Sequence, residues 1–262
     1  MSLKTLKVGL IGLGAISERH FAAFSACSQV RITALCTRSE TNLAKRCAAW
    51  NIDAGYTDYR KMIEEADIDA VVVSLPPVLH KEVCMLAMQA KKHVFCEKPP
   101  AMTAEEAYEM MQCAKENGVL FNFDAGTIRP GVEKLVELAD LLIASEYFAR
   151  TFTGEQDLDR ALLKLAKYQA KVTGITLGAG GSIFLDNGEI RRFPIFPAPV
   201  VDTTGAGDSF HAGFAFKYLQ TQDIAECARF ASAVAAIKCG KLGARAGLPT
   251  LEQVETFLKE QE

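Results

Sequence analysis

This sequence of 262 residues lacks the features that mark several common protein classes. It has no basic surplus, since 29 Lys and Arg face 32 Asp and Glu and the formal net charge is -3, so we expect no nucleic-acid partner. No apolar run reaches the roughly 18 residues of a membrane helix, and the first residues do not have the layout of a signal peptide. The eight cysteines form no C-x-x-C pair, which predicts free thiols, no metal site and a cytoplasmic location.

The apolar pattern alternates between short β-branched runs and amphipathic stretches along the whole chain. This alternation predicts an α/β protein, a three-layer αβα sandwich around one mostly parallel, doubly wound sheet. Asp186-Asn187-Gly188 lies between two alternating runs and predicts a β-hairpin. No Pro-, Gly- or Ser-rich linker divides the chain, and the pattern is compatible with one continuous sheet or with two separate domains.

A glycine loop follows the first predicted strand and precedes a predicted helix. Its cofactor-binding candidates are Gly12, Gly14, Ala15 and Ile16, with Ser17 as the third small residue of a G-x-G-x-x-S pattern. The first glycine permits a tight turn, the second lets the backbone approach a pyrophosphate, and the helix N-terminus offers free N–H groups to the anion. The pattern predicts a dinucleotide loop, and the alternative is an ordinary tight turn between a strand and a helix.

The end of the second predicted strand bears on which dinucleotide the loop takes. NAD-binding chains carry a carboxylate there for the ribose, whereas this chain has Cys36-Thr37-Arg38-Ser39. An Arg and two hydroxyls suit a 2′-phosphate, so Arg38 favours NADP over NAD. The alternative is that Arg38 is a solvated residue near the start of a helix.

Residues 1–121 resemble the cofactor domain of the glucose-fructose oxidoreductase and inositol dehydrogenase (Gfo/Idh/MocA) family. The resemblance is carried by V-G-L-I-G-L-G at 8–14, S-L-P-P at 74–77 with His80, and C-E-K-P-P at 96–100. It implies a catalytic role for Lys98, because the lysine of the E-K-P motif lies beside the nicotinamide and the substrate in that family. The alternative for Lys98 is a surface lysine at a strand end. The family's substrate domain has no counterpart after residue 121.

A second glycine-rich segment, Asp202–Phe210, reads D-T-T-G-A-G-D-S-F. Small residues at Gly205, Ala206 and Gly207 let backbone N–H groups converge at a helix start, which makes an anion hole for a γ-phosphate. The Asp208 carboxylate beside it can take the proton of an attacking hydroxyl. The alternative is a glycine-rich helix start without a ligand.

Residues 119–262 resemble the C-terminal half of ribokinase (PfkB) sugar kinases, through Asp202–Phe210 and also through F-D-A-G-T-I-R-P at 123–130. The resemblance implies ATP binding near Thr176, Gly178 and Gly181, with Mg²⁺ accompanying the nucleotide. Further adenine-pocket candidates are Ala236, Lys238, Gly240 and Gly243. In the segment that helps to hold magnesium in these kinases, Ser145 and Phe148 replace Asn and Glu, and Glu146 is the candidate to compensate.

The two resemblances meet at Val119–Asp124, where both families have a buried parallel strand. We therefore expect an engineered hybrid, with segments 1–121 and 122–262 sharing one sheet, that binds nucleotides with little or no native catalysis. The alternatives are an ATP-dependent carbohydrate kinase that uses Asp208, an NADP-dependent oxidoreductase that uses Lys98, and a ligand sensor without chemistry. A monomer is favoured, with nucleotides and a small carbohydrate as its ligands and no membrane partner.

Overall fold

A computed structural model describes residues 5–261 and alternates strands with helices. The strands are β1 (Leu6–Ile11), β2 (Val30–Cys36), β3 (Ala54–Tyr56), β4 (Ala70–Val73), β5 (His93–Cys96), β6 (Asn122–Ala125), β7 (Leu141–Ser145), β8 (Val172–Thr176), β9 (Ser182–Asp186) and β10 (Glu189–Phe193). The α-helices are α1 (Ala15–Ser25), α2 (Glu40–Trp50), α3 (Tyr59–Glu65), α4 (His80–Gln89), α5 (Ala104–Glu116), α6 (Val132–Leu138), α7 (Glu146–Thr153), α8 (Leu158–Leu165), α9 (Ala206–Thr221), α10 (Ile224–Cys239) and α11 (Leu251–Glu260). Three short 3-10 turns complete these elements. The predicted α/β class is confirmed.

The first compact unit ends at Val119 and contains a parallel sheet in the order β3-β2-β1-β4-β5. Successive side chains of a strand point to opposite faces, and β4 shows the consequence. Val71 and Val73 belong to one apolar cluster with α3, α4 and α5, whereas Val72 belongs to another with α1 and α2. Both faces of the sheet are therefore covered by helices.

The second compact unit begins at Leu120 and contains a sheet in the order β10-β9-β8-β7-β6. Strands β6, β7 and β8 are parallel, whereas β9 and β10 form the predicted antiparallel hairpin. Asn187 and Gly188 both have positive φ, 50° and 83°, as a two-residue hairpin turn requires. Leu142 packs with α6, α7 and α8 on one face, and Ile143 packs with α9 and α10 on the other.

The strands form two five-stranded sheets, which corrects the prediction of one continuous sheet with a shared strand at 119–124. The residues at the junction are divided between the two units. Val119 donates its N–H to Ala114 O at the end of α5, whereas Phe121 is held by Asp140, whose carboxylate accepts the Phe121 N–H at 3.0 Å. Only residues 122–125 then form β6, which pairs with β7 and, among residues 5–261, with no strand of the first sheet.

All eight cysteines are free thiols, as their scattered spacing predicts. Burial, together with the nearby Asp58 carboxylate, raises the pKa of Cys36 to about 12. The helices of the described residues are too short or too polar to cross a membrane. Within residues 5–261, no cluster of three or more His, Cys, Asp or Glu side chains could hold a metal ion.

Candidate nucleotide-binding sites

The glycine loop of the first unit connects β1 to α1, and its conformation requires glycine. Gly12 has a φ of 94°, and a Cβ atom there would lie 2.4 Å from Ser74 O. Gly14 begins α1 without a capping side chain and has open space where a Cβ would lie. Among the described residues, the N–H groups of Ala15 and Ile16 have no acceptor. The loop therefore leaves backbone donors and room for an anion at the start of a helix.

This loop lies where the order of the first sheet reverses. Strand β1 pairs with β2 on one side and with β4 on the other, so the carboxyl ends of β1 and β4 flank a crevice, the usual ligand position in such sheets. The Ser74 hydroxyl donates to Gly12 O at 2.8 Å, and the Asn42 side-chain amide donates to Leu13 O at 3.1 Å. The loop is thus held from both sides and fits the pyrophosphate of NAD or NADP, which would supply hydride chemistry when bound.

Arg38 is the second residue after the end of β2 and precedes Ser39, whose hydroxyl caps α2. Its side chain is exposed and, within residues 5–261, makes no hydrogen bond or ion pair. The guanidinium is therefore available to a ligand, and its selection of a 2′-phosphate stays a prediction.

Lys98 follows β5, and its peptide bond to Pro99 is cis. The side chain is exposed, while the backbone N–H donates to Glu97 Oε2 at 3.1 Å. The other oxygen of Glu97 lies 2.8 Å from Nε2 of His20 on α1. The buried His80 ring lies 2.8 Å from Pro99 O and 2.7 Å from Leu75 O. These contacts hold the Lys98 segment against α1 and the end of β4, and the sequence analysis did not predict them.

The second glycine-rich segment forms the start of α9. Gly205 has a φ of 78° and begins the helix without a capping side chain. Ala206 N–H is bonded to Thr203 O, but among the described residues the N–H groups of Gly205, Gly207 and Asp208 have no acceptor. Asp208 is exposed in the first helical turn. The loop therefore presents unpaired donors and a free carboxylate, as an anion hole with a base requires.

Asp202 connects this loop to the segment after α10. One carboxylate oxygen accepts the N–H of Thr204 at 2.9 Å and its hydroxyl at 2.7 Å, and the other accepts the N–H of Gly243 at 2.7 Å. These hydrogen bonds, led by those from Thr204 and helped by the Lys238 charge, lower the pKa of Asp202 to about 2. A Cβ at Gly205 would lie 3.1 Å from Ala244 Cβ, so the two segments are in close contact.

The parallel strands of the second unit bring further candidates to one edge of its sheet. Ser145 pairs with Thr176, so both lie at the carboxyl ends of their strands, and Thr176 is followed by the turn Gly178–Gly180. Gly181 ends that turn with a φ of 86°, and a Cβ there would lie 2.1 Å from Phe193 O. Asp124, on β6, lies at the same edge.

Helix α9 is joined to that edge by a side-chain contact that sequence reasoning also missed. Nε2 of His211 lies 3.1 Å from Asp124 Oδ1, and the His211 side chain is 7% exposed. Its Nδ1 is buried and, among residues 5–261, has no hydrogen-bond partner. The F-D-A-G-T-I-R-P segment and helix α9 are thus in contact, and no sequence pattern indicates this contact because the two residues lie on different elements.

The side chains at the predicted magnesium segment do not fit a protein-held Mg²⁺. Phe148 is fully buried in the core. The Ser145 hydroxyl already donates to Gly126 O at 3.0 Å and accepts the N–H of Phe148 at 3.0 Å. Glu146 is paired with Arg150 at 2.7 Å. Mg²⁺ would therefore be held chiefly by the phosphate oxygens of the nucleotide.

Replacement of Gly12 by alanine and replacement of Gly14 by alanine should have different consequences. In Gly12→Ala, the positive φ and the contact with Ser74 O should destabilise the fold by about 2 kcal/mol or more. In Gly14→Ala, the Cβ enters open space, so the thermal midpoint should stay within about 2 °C while NADP affinity falls at least about tenfold. Thermal unfolding and calorimetric titration with NADP measure the two effects. Equal loss of stability in both variants contradicts this account of the loop.

The depressed pKa of Asp202 should make the second unit sensitive to acid. A carboxyl group whose pKa is lower in the folded state contributes stability above its unfolded value of about 4, and this contribution is lost as the pH falls towards about 2. Asp202→Asn, which also places an amide group opposite the Gly243 N–H, should lower the thermal midpoint at pH 7. The gap between this variant and the wild type should narrow as the pH falls from about 5 to about 2. A difference in thermal midpoint that is constant with pH contradicts the lowered pKa of Asp202.

Comparison with known proteins gives two matching families. The model of the oxidoreductase family, NAD-binding Rossmann fold, matches residues 6–124, and that of the pfkB family carbohydrate kinases matches residues 77–251. The second match begins upstream of residue 119, where the predicted resemblance begins. The overlap, residues 77–124, includes α4, β5 and α5 of the first compact unit.

Individual relatives show the same division. The ribokinase of Lactococcus lactis is 31% identical over 148 residues, which are 56% of this chain and 48% of that protein. An NADP-dependent scyllo-inositol 2-dehydrogenase of Bacillus subtilis is 33% identical over 115 residues, 44% of this chain and 35% of that protein. The structure of Arabidopsis thaliana ribokinase complexed with ribose and ATP has a TM-score of 0.58 and 28% identity, covering 72% of this chain and 62% of the other.

The chain spans about half the length of the ribokinase relative and about a third of the dehydrogenase. Both resemblances predicted from the sequence motifs are confirmed. Residues 6–124 thus match a Rossmann-fold oxidoreductase family, and because the pfkB match covers more than half of the chain, the chain belongs to the pfkB family of carbohydrate kinases.

Proposed function

We propose that this protein is an engineered hybrid that binds two nucleotides with little or no turnover of either parent reaction. NADP, or NAD, binds at the loop of Gly12, Gly14, Ala15 and Ile16, and ATP binds at the loop of Gly205, Ala206 and Gly207. The observation that carries the proposal is shared by both loops. Each starts a helix at a glycine without a capping side chain, and among the described residues several N–H groups at the start of each helix have no acceptor.

The division of the chain supports the hybrid origin. Each compact unit has its own sheet and its own apolar clusters, and each carries one of the two candidate phosphate loops. Splicing two nucleotide-binding parts at Val119 and Leu120 keeps each core intact. The eight free thiols fit a reducing cytoplasm.

A second candidate function is ATP-dependent phosphorylation of a carbohydrate hydroxyl, and the exposed Asp208 favours it. In this reaction the Asp208 carboxylate takes the hydroxyl proton while the hydroxyl oxygen bonds to the γ-phosphorus of ATP. The bond between the γ-phosphorus and the bridging oxygen breaks, and ADP leaves. The N–H groups of Gly205, Gly207 and Asp208 stabilise the charge on the transferred group. Thr176, Gly178 and Gly181 are the candidates to contact the rest of the nucleotide.

Ligand-dependent stability tests the binding proposal. A ligand that binds only the folded chain at a concentration of 100 Kd adds about 2.7 kcal/mol, so ATP and NADP should each raise the thermal midpoint by several degrees. Gly14→Ala, with its affinity lowered at least about tenfold, should reduce only the NADP shift, to about half or less. Gly207→Val, which places a side chain in the open space at the α9 N-terminus, should reduce only the ATP shift. If neither nucleotide shifts the midpoint of the wild type, the binding proposal is wrong.

Product analysis separates the kinase from the non-catalytic hybrid. If the chain is a kinase, ADP formation from ATP and Mg²⁺ should depend on an added carbohydrate such as ribose. Asp208→Asn should then lower that rate by at least about 100-fold, the usual scale of a general base, while ATP binding is retained. Under the leading proposal, the wild type and Asp208→Asn form ADP at the same background rate with every carbohydrate tested.

A further inference from the structure

Lys238 is a buried cation that the proposed function leaves without a role. It lies in the last turn of α10, and its exposed fraction is 0%. Burying an ammonium group costs several kcal/mol unless partners compensate for the lost water. The Lys238 ammonium donates a hydrogen bond to Asp202 O at 2.8 Å. Its stem therefore runs through the interior and delivers a positive charge to the residue that precedes the Thr203–Gly207 loop.

The surroundings of Lys238 connect it to both segments at the α9 N-terminus. Its own carbonyl oxygen lies against Gly247, where a Cβ would be only 2.2 Å away. The preceding loop is joined to the end of α10, because Val201 and Asp202 donate their N–H groups to Cys239 O at 2.8 and 3.1 Å. The following loop is joined through Gly243, whose N–H binds the Asp202 carboxylate. Lys238 is thus held between the two segments that meet at Gly205.

The negative charge of Asp202 is unfavourable for an anion bound at the start of α9. The Asp202 carboxylate is ionised at neutral pH, and it lies three residues before the glycine whose helix is proposed to hold the phosphates of ATP. Two like charges a few ångströms apart near a protein surface repel each other with an energy of the order of 1 kcal/mol or more. Backbone and hydroxyl donors hold the carboxylate in place, but they bring no net charge, whereas the ammonium does.

We propose that Lys238 is a positioning residue of the α9 anion site, which offsets the Asp202 charge and thereby permits a triphosphate to bind beside that carboxylate. The inference rests on the proposed binding of ATP to the Gly205–Asp208 loop. Lys238 itself is sealed from solvent and does not touch the ligand. Its effect is therefore specific to the charge of the ligand and not to its adenine ring.

Two substitutions separate charge from hydrogen bonding. Lys238→Met removes the charge and the donor, whereas Lys238→Gln removes the charge and keeps a donor for Asp202 O. The matched control is Lys217→Met, which removes a lysine charge on α9 that is paired with Glu226 at 3.5 Å. Dissociation constants for ATP and adenosine are measured by calorimetry for the wild type and the three variants, and circular dichroism checks their folding.

For the wild type, ATP should bind more tightly than adenosine. In both Lys238 variants, ATP affinity should fall about tenfold or more, as loss of about 1.4 kcal/mol implies, while adenosine affinity changes less than about threefold. The Lys217 variant should keep the wild-type ratio of ATP affinity to adenosine affinity. If the Lys238 variants lose ATP affinity and adenosine affinity equally, Lys238 has a merely structural role. If both affinities stay as in the wild type, Lys238 has no role in binding. Both outcomes overturn the inference.

The outcomes remain distinct from failure of the proposed function. If the wild type binds no ATP, the proposed ATP site is wrong, and with it this inference; if the wild type binds ATP but the Lys238 variants keep its preference over adenosine, only the inference is wrong. If both variants unfold, NMR of the wild type tests the inference. The ammonium group of the buried Lys238 exchanges slowly and gives a resonance in the ¹⁵N spectrum. That resonance should shift on addition of ATP and not of adenosine, and equal response to both ligands overturns the proposal.

Discussion

The proposed nucleotide binding depends on one constraint, that the first backbone N–H groups of α1 and α9 stay unpaired, and among the described residues those of Ala15, Ile16, Gly207 and Asp208 have no acceptor. Most helices of the described chain begin at a side chain that accepts an N–H of the first turn: Ser39, Asp58, Thr103, Ser145, Asp157, Asp223 and Thr250. Such caps stabilise a helix by about 1 kcal/mol. Helices α1 and α9 begin at Gly14 and Gly205 and forgo that stabilisation. Helices α4 and α6 also lack a side-chain cap, and α4 continues a 3-10 turn.

Each uncapped glycine loop is supported by its own unit. In the first, the Ser74 hydroxyl and the Asn42 amide hold the loop carbonyl groups. In the second, Asp202 and Lys238 hold the segment before Gly205. Because the support comes from elements of the same unit, a splice between Val119 and Leu120 leaves both loops with their neighbours. This separation is compatible with two glycine loops that match different families in one chain.

The sequence was sufficient for the local features that depend on residue type at fixed spacing. Both glycine loops, the hairpin at Asn187-Gly188 and the α/β class follow from such patterns. The pairing of strands across the junction did not, because alternation shows that a segment is a strand but not which neighbour it takes. The hydrogen bond from the Phe121 N–H to the Asp140 carboxylate, directly before β6, has no signal in the sequence.

Contacts between distant residues were also outside the reach of sequence patterns. His20 and Glu97 are 77 positions apart, and the partners His211 and Asp124 lie on different elements, so no spacing rule joins them. The resemblance alone placed Lys238 among the adenine-pocket candidates. In the structure its ammonium group is buried and donates a hydrogen bond to Asp202 O. A lysine near the end of a helix is usually solvated, and only the packing of the loops around it shows otherwise.

The most direct test of the central claim is a sequential calorimetric titration of one sample, first with NADP to saturation and then with ATP. If each glycine loop serves its own nucleotide, one equivalent of each ligand binds, and the ATP dissociation constant is the same with and without NADP. Competition between the two ligands, or binding of only one of them, would contradict the account of two independent phosphate-binding loops.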